Sequence, residues 1–248
     1  YLPPQNIVEG YGHMIGVSEF VVREYEKACQ MPVHTHLLKN AIDTSKFNKT
    51  ISAEDRNNMR NKLGLREDDF VVLFVGRLIQ LKGILELMQA VLSIQDKRVK
   101  LLVIGSANFG KWAFSSYERK IKRLSRQNRD RIIFTGYVDN GEVYRYASAA
   151  DVQCVATLVE EAAPLVVLES MAEGLPLIAT KSGGVVEYVE KDTALLIERE
   201  NLVENLKIAI LYLKEHPDVR KHMSDRSKIQ SKKFDEAVYY QNFAETIQ

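Results

Sequence analysis

The chain has 248 residues, enough for one or two domains. With 46% hydrophobic and 27% charged residues it has the balance of a globular protein with a full core, which excludes disorder, collagen and coiled coil. Its 34 Lys and Arg against 33 Asp and Glu leave a net charge of +1, without the basic excess of a general nucleic-acid or membrane-surface binder.

The chain opens at Tyr1 with no methionine and no signal peptide, which predicts a piece of a longer protein. No apolar stretch reaches the ~18 residues that span a bilayer. VSEFVVREYEKAC (17–29) has the spacing of an amphipathic helix, VHTHLL (33–38) reads as a strand and NAIDTSKF (40–47) as a turn-rich loop. Ser52 caps a helix that runs through Arg56 to Leu63 and ends at Gly64. From Phe70 short apolar runs alternate with amphipathic stretches. The runs FVVLFV (70–75), KLLVI (100–104), RIIF (131–134), DVQCVA (151–156), PLIAT (176–180) and TALLI (193–197) are nearly continuous, as strands covered on both faces must be. Helices are expected near 83–92, 116–127, 139–149, 164–173, 184–189, 201–214, 217–231 and 235–247. This alternation predicts an α/β, Rossmann-like doubly wound parallel sheet. The two cysteines, Cys29 and Cys154, cannot build a disulfide framework; they read as small buried hydrophobes in a reducing, cytoplasmic compartment.

In such sheets ligands bind at the carboxyl ends of the strands, where the strand order reverses. The first such loop is GRLIQLKG (76–83). It lacks the glycines of a dinucleotide turn and the G-K-S/T of a P-loop. It offers Arg77 and Lys82 close to a helix N-terminus, either an anion clamp or a pair of solvated cations. The richest segment is VEEAAPLVVLESMAEGLPLIATKSGGVVEYV (159–189). Pro164 suits the first turn of a helix that Gly174 and Pro176 end, with Leu165, Val166 and Leu168 as its buried side. Glu161 then lies in the loop before the helix and Glu169 on it. An ionised carboxylate accepts two hydroxyl hydrogens in a fixed fork, which suits a sugar. The same glutamates also read as ordinary helix charges. Ser182-Gly183-Gly184 is either a close backbone approach to the site or a simple tight turn.

Other features carry less. His34 and His36 fall on one face of a strand, a spacing that admits a metal but mostly does not hold one. Arg119, Lys120, Lys122, Arg123, Arg126, Arg129 and Arg131 form a basic run that reads first as a solvated helix face. Phe109, Trp112 and Phe114 follow the second strand and read as packing under a loop or as a pocket rim.

Taken together, four segments resemble the donor domain of GT-B glycosyltransferases, specifically the retaining enzymes of family 4. They are Arg77 and Lys82 in G-R-x-x-x-x-K-G, Glu161-x7-Glu169, FTGYVDNGEVYRYASAADV (134–152), and NAID (40–43), which matches the N-G-I-D interdomain linker with Ala41 for Gly. The resemblance covers about residues 15–248. It implies a nucleotide-sugar donor domain over 46–232, a remnant of an N-terminal acceptor domain and linker over 1–45, and a C-terminal helix over 233–248 that packs back. It implies transfer of a hexose, with retention, from UDP-sugar or another NDP-sugar to a glycan or lipid acceptor, in bacterial cell-surface polysaccharide or glycoconjugate synthesis. Arg77 and Lys82 would hold the diphosphate, helped by the backbone N–H groups of Leu165 and Val166. Glu169 would bind the ribose and Glu161 the hexose. The backbone of Gly136, Tyr137 and Val138 would meet the base, with Gly76 and Ala163 lining the donor. The clamp replaces a divalent metal, so neither metal nor other cofactor is expected.

The departures are Ala162-Ala163 after the first glutamate, where the family has Gly or Pro and then an aromatic residue or Cys, and Gly105-Ser106-Ala107 in place of G-x-G. The former leaves the hexose open. The acceptor side, and the peripheral membrane attachment it carries in the family, would belong to the missing half, so this piece alone should bind donor and transfer little. The competing readings are a non-catalytic nucleotide-sugar-binding module or partner subunit, and another GT-B enzyme such as an epimerase or a pyridoxal-dependent phosphorylase.

Overall fold

The computed structural model describes residues 13–29, 34–47, 51–106 and 116–246. Phe109, Trp112 and Phe114 lie outside them. Six parallel strands form the main sheet: β3 (Phe70–Val75), β4 (Val99–Ile104), β5 (Ile132–Gly136), β6 (Val152–Val155), β7 (Leu177–Thr180) and β8 (Ala194–Ile197), in the order β5-β4-β3-β6-β7-β8. The order reverses between β3 and β6, so the doubly wound sheet is as expected and its crevice opens beyond those two strands. Every expected strand forms, within two residues at either end.

Alternation along β3 shows why both faces needed apolar residues. Val72 and Phe74 pack with α4 (Ile84–Ser93) and α9 (Leu202–Glu215), through Leu87, Met88, Val91, Leu206 and Ile210. Val71 and Leu73 pack on the other face with α6 (Asn140–Ala147), through Val143 and Ala147. A further core joins α7 (Leu165–Glu173) and α8 (Val185–Tyr188) to Leu177 and Ala179. Cys154 is buried in β6, and desolvation pushes its thiol far above the ordinary range. Cys29 corrects the expectation of burial. It ends α1 (Glu19–Ala28) and is only half-buried, because the last turn of that helix leaves the packed surface.

The N-terminal part holds a second, two-stranded parallel sheet, β1 (His13–Gly16) with β2 (His34–Leu37). β1 was not legible as a strand. The segment 40–47 is not simply a loop. Ile42 pairs with Asp235, and α2 (Thr44–Phe47) follows, anchored where Thr44 donates from N and Oγ1 to Asp235. α3 (Ala53–Lys62) is capped by Ser52 as expected. α5 (Ser116–Gln127), α10 (Pro217–Ser231) and α11 (Glu236–Thr246) complete the chain. Of the basic run, Arg131 is not solvated. It is buried and donates to the carbonyls of Val91 and Val99 at 2.7 and 2.8 Å.

Candidate donor-binding site

The loops after β3, β4, β5 and β6 meet at the carboxyl ends of the sheet. Gly76, Gly105 and Gly136 end β3, β4 and β5 with φ of 155°, 146° and 79°. A side chain on Gly105 would overlap the Gly76 carbonyl, so the strand ends form a floor of bare backbone. Beside it lies a cavity of about 160 Å³ whose walls include Gly76, Arg77, Tyr137 and Val138. The structure thus brings the first cation and two of the three expected base-binding residues, Tyr137 and Val138, into one hollow, with Gly136 just before them at the end of β5. Arg77 is exposed at its edge.

Lys82 closes a single 3-10 turn (Gln80–Lys82), and Gly83 follows with φ of 64°. A Cβ there would overlap the Ala156 carbonyl, so only glycine lets this turn lie on the end of β6. That contact delivers Lys82 to the second loop: its Nζ lies 2.5 Å from Glu161 Oε1, with the side chains 27% and 15% exposed. Thr157 Oγ1 also donates to Glu161 Oε1 at 2.9 Å. Sequence reasoning missed Thr157, although its place directly after β6 was the available signal.

Glu160 pairs with Arg199 and accepts from the Gly183 N–H. Gly184 N donates to Glu161 O at 2.7 Å, and a Cβ on Gly184 would overlap the Ala162 carbonyl. Ser182-Gly183-Gly184 is therefore a close backbone approach that backs the Glu161 loop.

α7 starts at Leu165, one residue later than expected, with Pro164 as its N-cap and no side-chain cap. Leu165 is 46% exposed, which corrects its assignment to the buried face, whereas Val166 is half-buried and packs against the core. Val167, Leu168 and Met171 face the core and Val167 N donates to Pro164 O at 3.0 Å, so the N–H groups of Leu165 and Val166 are the first-turn donors without a partner inside the helix. Ala163 O accepts from Asn40 Nδ2 at 3.3 Å, another contact the sequence did not announce. Glu169 is half-buried, and burial raises its carboxyl above the ordinary range. One turn on, burial and the neighbouring Glu169 push Glu173 up to about 8.

Two features stand apart from this crevice. A larger cavity, about 600 Å³, lies at the opposite ends of the strands, where Asp151 and Pro176 precede β6 and β7. His34 and His36 stack with His13 on the small sheet, and no group of three metal-ligating side chains forms among the described residues. No helix among those residues is long and apolar enough to cross a membrane.

Comparison with known proteins agrees with this architecture. The putative teichuronic acid biosynthesis glycosyltransferase TuaC of Bacillus subtilis is 34% identical over 162 residues, 65% of this chain and 37% of that protein. The lipopolysaccharide 1,2-N-acetylglucosaminetransferase of Salmonella typhimurium is 31% identical over 144 residues, 57% of this chain and 38% of that protein. HepE of Anabaena, solved in complex with UDP and glucose, superposes with a TM-score of 0.85 at 25% identity, covering 98% of this chain and 65% of HepE. Sucrose-phosphate synthase of Thermosynechococcus elongatus superposes at 0.82 with 26% identity, covering 96% and 58%. This chain spans 38% of the length of the Salmonella enzyme. The family of glycosyl transferases group 1 matches residues 55–230. With that match and a GT-B Rossmann-like sheet, the chain belongs to the glycosyl transferases group 1.

Proposed function

We propose that this chain is the donor half of a retaining hexosyltransferase and binds a nucleoside-diphosphate sugar at the carboxyl ends of β3–β6. The observation that carries the reading is the Lys82–Glu161 ion pair across the reversal point of the sheet. It sets a cation for phosphate and a carboxylate for sugar hydroxyls side by side, between the Tyr137–Val138 hollow and the uncapped first turn of α7.

In this reading Arg77 and Lys82 hold the diphosphate, with the N–H groups of Leu165 and Val166 at the other side. Glu169 accepts the ribose hydroxyls, and Glu161 the hexose hydroxyls once phosphate has drawn Lys82 away. The backbone of Gly136, Tyr137 and Val138 meets the base, while Gly76 and Ala163 line the path. As the bond from the anomeric carbon to the phosphate oxygen breaks, its electron pair goes to the phosphate, and the fixed cations stabilise that charge. The acceptor hydroxyl attacks from the same face and passes its proton to the departing phosphate. The configuration is thereby retained without a covalent carboxylate intermediate. Residues 46–232 form the donor domain, and 1–45 with 233–248 are its junction to an acceptor domain. The TuaC and Salmonella relatives point to a cell-surface polysaccharide or glycoconjugate pathway, and HepE to a uridine nucleotide.

Calorimetry with UDP, GDP, ADP and dTDP, then with the hexose conjugates of the best of them, tests the reading. A specific nucleotide should bind, and Arg77→Ala or Lys82→Ala should weaken it at least tenfold. Unchanged affinity in both variants would overturn the assignment.

A further inference from the structure

We propose that Glu187 is a positioning residue: it clasps the N-terminus of α1 and so holds the loop carrying Glu161 in place. The proposal rests on the reading of that loop as the sugar wall of the donor site. The first N–H groups of a helix have no partner within it. In α1 two of them, on Glu19 and Phe20, donate to Glu187 Oε2 and Oε1 at 2.7 and 2.8 Å, from 168 and 167 residues away in sequence. A carboxylate taking both bonds at the positive end of a helix is a strong, oriented contact. Ser18, fully buried, caps the third amide from its own side chain.

The clasp is stacked on the site. Glu187 belongs to α8, which begins immediately after Gly184. A Cβ on Gly184 would stand 2.8 Å from Ser18 Oγ on one side and overlap the Ala162 carbonyl on the other. The α1 cap, the glycine and the Glu161–Ala162 backbone therefore lie in three contiguous layers. The neighbouring Tyr188 repeats the pattern: its hydroxyl donates to Val17 O at 2.5 Å and accepts from Asn40 N at 2.9 Å. Asn40 in turn reaches Ala163 O, and Lys39 Nζ donates to Glu187 O at 2.7 Å. Asn40 thus holds the Ala163 end of the stretch 161–163, while Ser18 lies against Gly184, whose N–H holds the Glu161 end. A displacement of α1 is transmitted to the Glu161 backbone, and a ligand that fixes that backbone firms the α1 N-terminus in return.

Amide exchange on the full chain tests this, in the native protein, Glu187→Ala and Glu187→Gln. In ligand-free Glu187→Ala, exchange should quicken ~10-fold both at residues 19–21 and at 161–165, with Glu187→Gln intermediate because its amide keeps one acceptor. UDP should slow residues 19–21 in the native chain but not in Glu187→Ala, which still binds it. If ligand-free Glu187→Ala leaves 161–165 unchanged, the proposal is overturned whatever UDP does. Failure of UDP, GDP, ADP and dTDP alike to bind the native chain would remove the donor-site reading alone, because the ligand-free comparison still decides the clasp. Should Glu187→Ala not fold, Tyr188→Phe, which removes the second tie, must quicken 161–165 in the same direction or the proposal falls.

Discussion

Lys82 Nζ and Glu161 Oε1, 79 residues apart in sequence, stand 2.5 Å apart across the crevice between β3 and β6. Each neutralises the other while no donor is bound. The two substitutions should therefore separate. Lys82→Ala removes a charge-assisted phosphate contact worth about 1.5–3 kcal/mol, so affinity for the nucleoside diphosphate should fall roughly 10–150-fold. Glu161→Ala removes a competitor for Lys82 and should leave affinity for the bare diphosphate unchanged or tighter. It should abolish the extra affinity of the sugar conjugate. Calorimetry with the two ligands distinguishes these outcomes.

The stacked carboxylates of α7 make stability fall with rising pH. Glu173 in the folded chain titrates at about 8 against an ordinary 4.5, so between those values the folded form holds a proton that the unfolded form has lost. Unfolding free energy then decreases as pH rises through that window. Glu173→Gln should be more stable than the native chain at pH 8, by about 2–4 kcal/mol, and indistinguishable from it at pH 4. Urea titrations at both pH values check the sign.

Glu169 shares that burial, and its carboxyl lies above the ordinary range. If its ionised form accepts the ribose hydroxyls, nucleotide affinity should begin to fall on acidification earlier than an ordinary glutamate would allow. Glu169→Gln should bind more weakly and lose that pH dependence. Calorimetry between pH 5 and 8 reads both effects.

Gly83 and Gly64 have similar backbones, with φ of 64° and 69°, but different surroundings. A Cβ on Gly83 would overlap Ala156 O, whereas one on Gly64 meets nothing within 4 Å. Gly64→Ala should cost about 1 kcal/mol of left-handed strain. Gly83→Ala adds overpacking, for about 3 kcal/mol in all, and displaces Lys82, so nucleotide binding should weaken as well. Thermal melts and calorimetry on the pair separate strain from collision.

The basic run divides by burial. Arg131, which satisfies carbonyls at the end of α4 and the start of β4, should cost about 2–4 kcal/mol as Arg131→Ala. Arg123→Ala and Arg126→Ala, on exposed side chains of α5, should stay within about 0.5 kcal/mol. Denaturant midpoints give the comparison.

What the sequence revealed follows the range of the interactions. The six main strands were legible because burial on both faces demands unbroken apolar runs such as FVVLFV. Ser52, Gly64 and Gly174 were legible because capping is local chemistry. β1 was not: HMIG is four residues long, and only its pairing with β2 makes it a strand. The candidate site residues came from motif resemblance and from their places after strands. Their arrangement did not, since the Lys82–Glu161 contact, the backing of Glu161 by Gly184 and the bonds from α1 to Glu187 all join distant segments. Leu165 was misplaced for a related reason. Apolar character predicts burial for most of a helix, but the first residue of α7 lies on the side away from the core that Val166 and Val167 pack against.

The sealed position of Cys154 has a practical side. The chain has two thiols, and this one is walled into the sheet, 2% exposed and held protonated by its surroundings. An electrophilic dye offered at neutral pH therefore labels Cys29 alone, at the far end of the helix whose first turn Glu187 grips. These 248 residues carry their own single attachment point for a fluorophore, and no residue has to be engineered to watch that helix respond.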